Sequence, residues 1–115
     1  MKLVVAVIQP TKLEAVQAAL EQLGVPRATV CDAMGYARQR GHSEVYRGHE
    51  YQAQLLRKVT VEIAVNDEFL ERTVACLEEH ARTSSVGHIG DGKVFVLPLD
   101  DAVQISDGQS GPSAI

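Results

Sequence analysis

The feature that most constrains this chain is Leu3–Ile8, LVVAVI, a run that is apolar on both sides of its alternation. It is far shorter than the roughly 20 residues needed to cross a bilayer. It therefore reads as a strand, Lys2 to Ile8, and a strand apolar on both faces must be covered on both. Any fold for these 115 residues has to supply two covers. The chain is long enough for one domain that buries about two thirds of its unfolded surface.

The residues that follow supply one cover. Gln9-Pro10 breaks the strand, Thr11 with Glu14 forms a predicted capping box, and Leu13, Val16, Leu20 and Leu23 make one apolar helical stripe that Gly24 and Pro26 end. Thr29 to Met34 reads as a second strand. Val59, Val61, Ile63 and Val65 alternate with Thr60, Glu62 and Ala64 in a third. Asn66 or Asp67 caps a second helix carrying Leu70, Val74, Leu77 and Ala81 on one face, and Val94 to Leu97 is a fourth strand. The order βαββαβ predicts an α+β, ferredoxin-like sandwich, with both helices on one face of an antiparallel sheet. That leaves the other face of LVVAVI open, and self-association through the sheet is the simplest cover.

Between the second and third strands lies GYARQRGHSEVYRGHEYQAQLLRK, Gly35 to Lys58. A compact domain seldom keeps so long a loop without a use. This one carries Arg38, Arg40, Arg47, Arg57 and Lys58 in a chain of net charge −4, which points to an anionic ligand near its base. The acidic balance argues against nucleic acid as the main partner. Tyr46, Arg47 and Tyr51 at the tip have the chemistry of a protein-binding hot spot. A second segment, Gly87-His88-Ile89-Gly90-Asp91-Gly92-Lys93, can be either a glycine turn with a solvated lysine or a backbone anion site. It is not a Walker A loop, because a strand follows it and no Ser or Thr follows Lys93. Cys31 and Cys76 are isolated and read as buried, reduced thiols of a cytoplasmic protein. His42, His49, His80 and His88 are read as neither paired at i, i+4 nor joined to cysteine ligands, and as solvated rather than metal-bound. No nucleophile elbow, paired catalytic carboxylates or HExxH suggests an enzyme, and no signal peptide is read.

These residues resemble the PII signal-transduction family, the trimeric regulators of nitrogen metabolism, from residue 1 to about Leu99. The resemblance rests on IQPTKLEAV, on GYARQRGHSEVYRGHEY, on the lysine at 58 directly before a strand, and on IGDGKVFV. It implies a single PII-like domain over 1–115, with a T-loop at about 37–55, a glycine-rich nucleotide loop at about 83–93 and a polar tail at about 100–115. It further implies a homotrimer that binds ATP or ADP in clefts between subunits and, with Mg²⁺ and ATP, 2-oxoglutarate at the T-loop base. By position, Thr29 would face adenine, while Arg38 and Lys93, with the Gly90, Asp91 and Gly92 backbone, would face phosphates. Gln39 would ligate Mg²⁺, and Lys58 would pair with the 2-oxoglutarate carboxylate. Tyr46, Arg47 and Tyr51 would meet a partner, an ammonium channel or a metabolic enzyme, and Tyr51 matches a tyrosine that some members have uridylylated. The protein itself would be cytoplasmic, not membrane-inserted and not an enzyme.

Four features depart from the family pattern. The usual arginine pair after the fourth strand is replaced by Gln104 and Ser106, removing two charge-assisted contacts of about 1.5–3 kcal/mol each. The Thr83–His88 segment is longer than usual, Arg57 stands where the family has a proline, and His49 replaces a small residue. The alternative these leave open is a divergent PII-like regulator of another transporter. It would bind ADP, AMP, bicarbonate or a metal, with no 2-oxoglutarate response.

Overall fold

The computed structural model describes the backbone of residues 1–38, 44–46, 49–51 and 53–115, and the side chains of 1–35 and 55–115. The main sheet contains β1 (Lys2–Ile8), β2 (Thr29–Arg38), β5 (Ala53–Val65) and β6 (Gly92–Pro98), in the order β2-β5-β1-β6. Every neighbouring pair in it is antiparallel. The helices α1 (Leu13–Leu23) and α2 (Asp67–Ala81) pack on one face. This is the ferredoxin-like arrangement, and its connections follow the expected βαββαβ order. Two short strands, β3 (Glu44–Tyr46) and β4 (His49–Tyr51), form a separate ribbon between β2 and β5.

One core holds the layers together. Val4, Ala6 and Ile8 of β1 and Val59, Val61, Ile63 and Val65 of β5 are buried against Val16 and Leu20 of α1 and Leu77 and Ala81 of α2. Burial on β1 alternates, however. Leu3, Val5 and Val7 point to the opposite face and stay half-exposed, beside Phe95 at 50% and Leu97 at 43% exposure on β6. The single chain thus covers one face of the strand and leaves an apolar stripe on the other, the open face expected of two helices packed on one side of the sheet. Two helices are wide enough for one side of four strands and no more.

Several local expectations also change. Pro10–Lys12 forms a 3-10 turn, α1 begins at Leu13, and no side chain caps it, so Thr11 and Glu14 make no capping box. Proline presets the turn, and the Lys12 N–H closes it on the Gln9 carbonyl at 3.0 Å. The other end of α1 behaves as expected: Gly24 adopts φ +90° and donates to Glu21, while Val25 donates to Leu20 at 2.9 Å, a Schellman stop. Asn66 occupies the N-cap of α2, but its side chain turns away and donates to the Pro112 carbonyl at 3.1 Å. The Met1 ammonium instead reaches Asp67 at 2.9 Å, in the first turn of α2, and holds its carboxyl below the usual range.

The long loop is less loose at its base than predicted. The β2–β5 ladder continues through Gly35↔Leu56 to Arg38↔Ala53, well past Met34. Tyr36 is an aromatic residue that favours extended pairing. Neither cysteine is fully buried: Cys31 is exposed opposite Thr60 on the open face, and Cys76 is half-buried on α2, where burial pushes its thiol up. The polar tail is folded, with Val103 bridged to Ser110, Gly111 donating to Ala102 at 3.0 Å, and a closing 3-10 turn at Pro112–Ala114.

Candidate functional site

Three segments converge where β1 ends. Ile8 pairs with Val59 on one side and Gly92 on the other, so Lys58, Gln9 and the loop before β6 become neighbours. Lys58 Nζ donates to the Gly90 carbonyl at 2.6 Å, and Gln9 Nε2 donates to the same oxygen at 3.3 Å. Gly35 on β2 completes the group, since a Cβ there would lie 3.2 Å from Lys58 Cγ. The lysine stem thus lies along a glycine, and its ammonium sits at the base of the β2–β5 ribbon.

The glycine loop has a defined shape. The Asp91 N–H donates to the His88 carbonyl at 3.1 Å, closing a turn whose third residue, Gly90, has φ +102° and open space where a Cβ would stand, with no atom within 4 Å. Asp91 Oδ2 accepts from the N–H groups of His88 at 2.8 Å and Thr83 at 3.2 Å. The His88 bond is the main reason the Asp91 carboxyl is held below its ordinary value. Gly92 has φ +119°, and a Cβ there would fall 1.8 Å from the Val7 carbonyl oxygen, so no other residue fits. Among the described residues the N–H groups of Ile89 and Gly90 have no acceptor, leaving them available to an anion. Behind the loop, a cleft of about 600 Å³ opens between it and the last turns of α2, lined by Leu77, Glu78, Arg82, Val86, His88 and Lys93 among others. Arg82 is held there by Glu78 at 2.6 Å.

The predicted residues divide into four groups. Lys58, Gly90, Asp91 and Gly92 come together, and Lys93 follows on β6, where it pairs with Val7 on the open face. Thr29 does not join them. It lies at the far edge of the sheet, in the row Thr29–Glu62–Val5–Phe95, and β2 is three strand spacings, roughly 14 Å, from β6. Arg38 (paired with Ala53), Tyr46 and Tyr51 have their backbones in strands, and their side chains lie outside the described residues. Gln39 and Arg47 lie outside the described residues altogether. Gln9 and Gly35 were missed in the sequence, although a polar side chain at the end of a central strand next to proline was a usable signal for the first.

The tail places Gln104 and Ser106 in one small network: Gln104 Nε2 donates to Ser106 Oγ at 3.0 Å and to Asp107 Oδ2 at 3.4 Å. For metals, one pairing was overlooked. Cys76 and His80 are four apart on α2, with Sγ 3.9 Å from Nδ1, but Nδ1 lies 2.9 Å from the Cys76 carbonyl. No third ligand joins them among the described residues. No helix among the described residues is long and apolar enough to cross a membrane.

Comparison with known proteins agrees with this geometry. Residues 1–109 match the family described as nitrogen regulatory protein P-II. The chain is 47% identical to nitrogen regulatory protein GlnK1 of Methanosarcina mazei, over all of this chain and 97% of the relative. It is 43% identical to nitrogen regulatory protein P-II of Azospirillum brasilense and 44% identical to that of Bradyrhizobium diazoefficiens, each over the full length of both chains. The ferredoxin-like sheet, the paired base of the long loop and the glycine turn clamped by Lys58 thus have their context in a lineage, and the chain belongs to the P-II family of nitrogen regulatory proteins.

Proposed function

We propose that this protein is a cytoplasmic, non-enzymatic sensor that binds ATP or ADP and, with Mg²⁺-ATP, 2-oxoglutarate, and that reports their occupancy through its T-loop. The observation that carries the reading is the 2.6 Å contact between Lys58 Nζ and the Gly90 carbonyl. It ties the glycine loop, the natural seat for phosphates, to the base of the β2–β5 ribbon, from which the T-loop projects. An anion that competes for Lys58 changes what holds that base, and only such a differential contact can shift a conformational population.

The nucleotide cleft forms between copies. Thr29 and Lys93 sit at opposite edges of one sheet, so Thr29 of one copy and the glycine loop of another frame one ligand. The open apolar stripe of Val5, Val7, Phe95 and Leu97 supports assembly into the homotrimer through the sheet. Arg38 and Lys93 would meet phosphates, Gln39 would complete Mg²⁺ coordination, and Lys58 would take the dicarboxylate. Tyr46, Arg47 and Tyr51 would contact an ammonium channel or a metabolic enzyme, with Tyr51 available for uridylylation.

Isothermal titration with ATP, ADP and AMP, each with Mg²⁺ and with or without 2-oxoglutarate, tests the reading. ATP binding that is required for 2-oxoglutarate binding supports it. One observation favours a second reading, that of a divergent regulator without a 2-oxoglutarate response. Gln104, Ser106 and Asp107 satisfy one another where the family carries arginines, and they add a carboxylate instead of two cations. ADP or AMP binding indifferent to 2-oxoglutarate would select that reading.

A further inference from the structure

We propose that Gln9 is a positioning residue of this site: it shares the Gly90 carbonyl with Lys58 and holds the His88–Asp91 turn in place when Lys58 turns to an anion. The inference rests on the ligand reading above for its binding arm, but its structural premise stands on the contacts alone. A carbonyl oxygen has two lone pairs, and both donors here are side chains. One is a cation at 2.6 Å and the other a neutral amide at 3.3 Å. The charge-assisted bond is the shorter and stronger of the two while Lys58 is free.

No side chain anchors Gly90: a Cβ there would meet nothing within 4 Å, and its φ of +102° is accessible to glycine without strain. Hydrogen bonds orient its peptide: Lys58 and Gln9 on the carbonyl side, and the Asp91 N–H to the His88 carbonyl at 3.1 Å on the other. That orientation also aims the free N–H groups of Ile89 and Gly90. When a carboxylate draws the Lys58 ammonium away, one of the two carbonyl bonds is lost. Gln9 remains, carried at the end of the central strand β1 and followed by the rigid Pro10, so the turn keeps the shape that receives phosphate. Without Gln9, the loop loosens at the moment the second ligand binds.

The test compares wild type with Gln9→Met, which keeps the side-chain length and removes the donor, and with Gln9→Lys, which restores a donor. At saturating Mg²⁺-ATP, Gln9→Met is expected to weaken 2-oxoglutarate binding by about five- to tenfold, the value of one net hydrogen bond. ATP affinity measured alone stays within about twofold, because Lys58 then still holds Gly90, and Gln9→Lys recovers most of the loss. Equal loss for both ligands, or no loss for either, overturns the proposal, since a merely structural role would move both together. A wild-type protein that binds ATP but no 2-oxoglutarate refutes the ligand reading instead. The role of Gln9 is then decided in ligand-free protein by the ¹³C carbonyl signal of Gly90. In a Lys58→Met background, which imitates the departed lysine, adding Gln9→Met must shift that signal, and an unmoved signal overturns the proposal.

Discussion

Gly90 and Gly92 sit two residues apart, both at positive φ, yet they should respond very differently to alanine. At Gly90 an added Cβ meets nothing within 4 Å, so the change carries only the cost of a left-handed backbone, about 1–2 kcal/mol. Roughly 0.4–1 kcal/mol of that is offset by the stiffer unfolded chain. At Gly92 the same strain is joined by a collision, with the Cβ 1.8 Å from the Val7 carbonyl oxygen and 2.9 Å from its carbon. Backbone cannot swing aside as a side chain can, so β6 must move more than 1 Å away from β1 to reach the usual ~3 Å limit. That opens the Gly92↔Ile8 end of the ladder, sacrificing one or two hydrogen bonds at about 0.5–1.5 kcal/mol each together with the packing of Val94. Gly90→Ala is therefore expected to cost about 1 kcal/mol and Gly92→Ala at least about 3 kcal/mol. Urea unfolding followed by circular dichroism, at one fixed protein concentration, measures both. Equal midpoints for the two variants would refute the claim that close approach of β6 to β1 is what reserves position 92 for glycine.

Other expectations concern charge and assembly. Asp91→Asn should flatten the acid limb of the stability curve: its carboxyl lies below the ordinary value when folded, so its contribution is full above the unfolded pKa and fades as pH falls through the folded one. Unfolding midpoints across pH 2 to 7 check this: the variant's deficit should be largest at neutral pH and shrink towards acid, and a deficit that grows as pH falls would contradict the sign. Restoring cations with Gln104→Arg and Ser106→Arg together should tighten ATP binding more than tenfold while leaving AMP nearly unchanged, as titration calorimetry can show. Phe95→Glu, on the open face, should dissociate the oligomer with the helix side intact, read by sedimentation velocity; an unchanged sedimentation coefficient would place the interface elsewhere.

Most of the fold was legible because periodicity is a local signal. The alternation Val59, Val61, Ile63, Val65 named both the strand and its buried face, and Gly24 announced its own helix stop through backbone geometry. The start of α1 was not legible. Thr11 and Glu14 satisfy a capping pattern, but Pro10 drives a 3-10 turn first, and two local preferences competing over three residues cannot be ranked from composition. The half-covered β1 was legible only by counting elements: an apolar residue states that it will be covered, and the lack of a third helix says that its own chain does not do so. At the site, Lys58 and the glycines could be found by type and order. Their convergence with Gln9 on a single carbonyl depends on the register of three strands and has no sequence signature.

The long ladder of β2 with β5 has an arithmetic consequence. Ten consecutive pairs, Thr29↔Glu62 to Arg38↔Ala53, run without a bulge from the core into the loop base. Side chains along a strand alternate with period two, so inserting or deleting one residue between Gly35 and Lys58 leaves this ladder intact beyond its last pair and is disruptive within it. A single-residue slip of β2 there would turn Val30 towards the open face, and one of β5 would move Lys58 away from Gly90 to the side of the helices. Length variation among relatives of this protein should therefore collect between Arg38 and Ala53 and avoid the ladder itself. Length changes beyond Arg38 and Ala53 escape this constraint, while the parity of the two stems is inherited from the core.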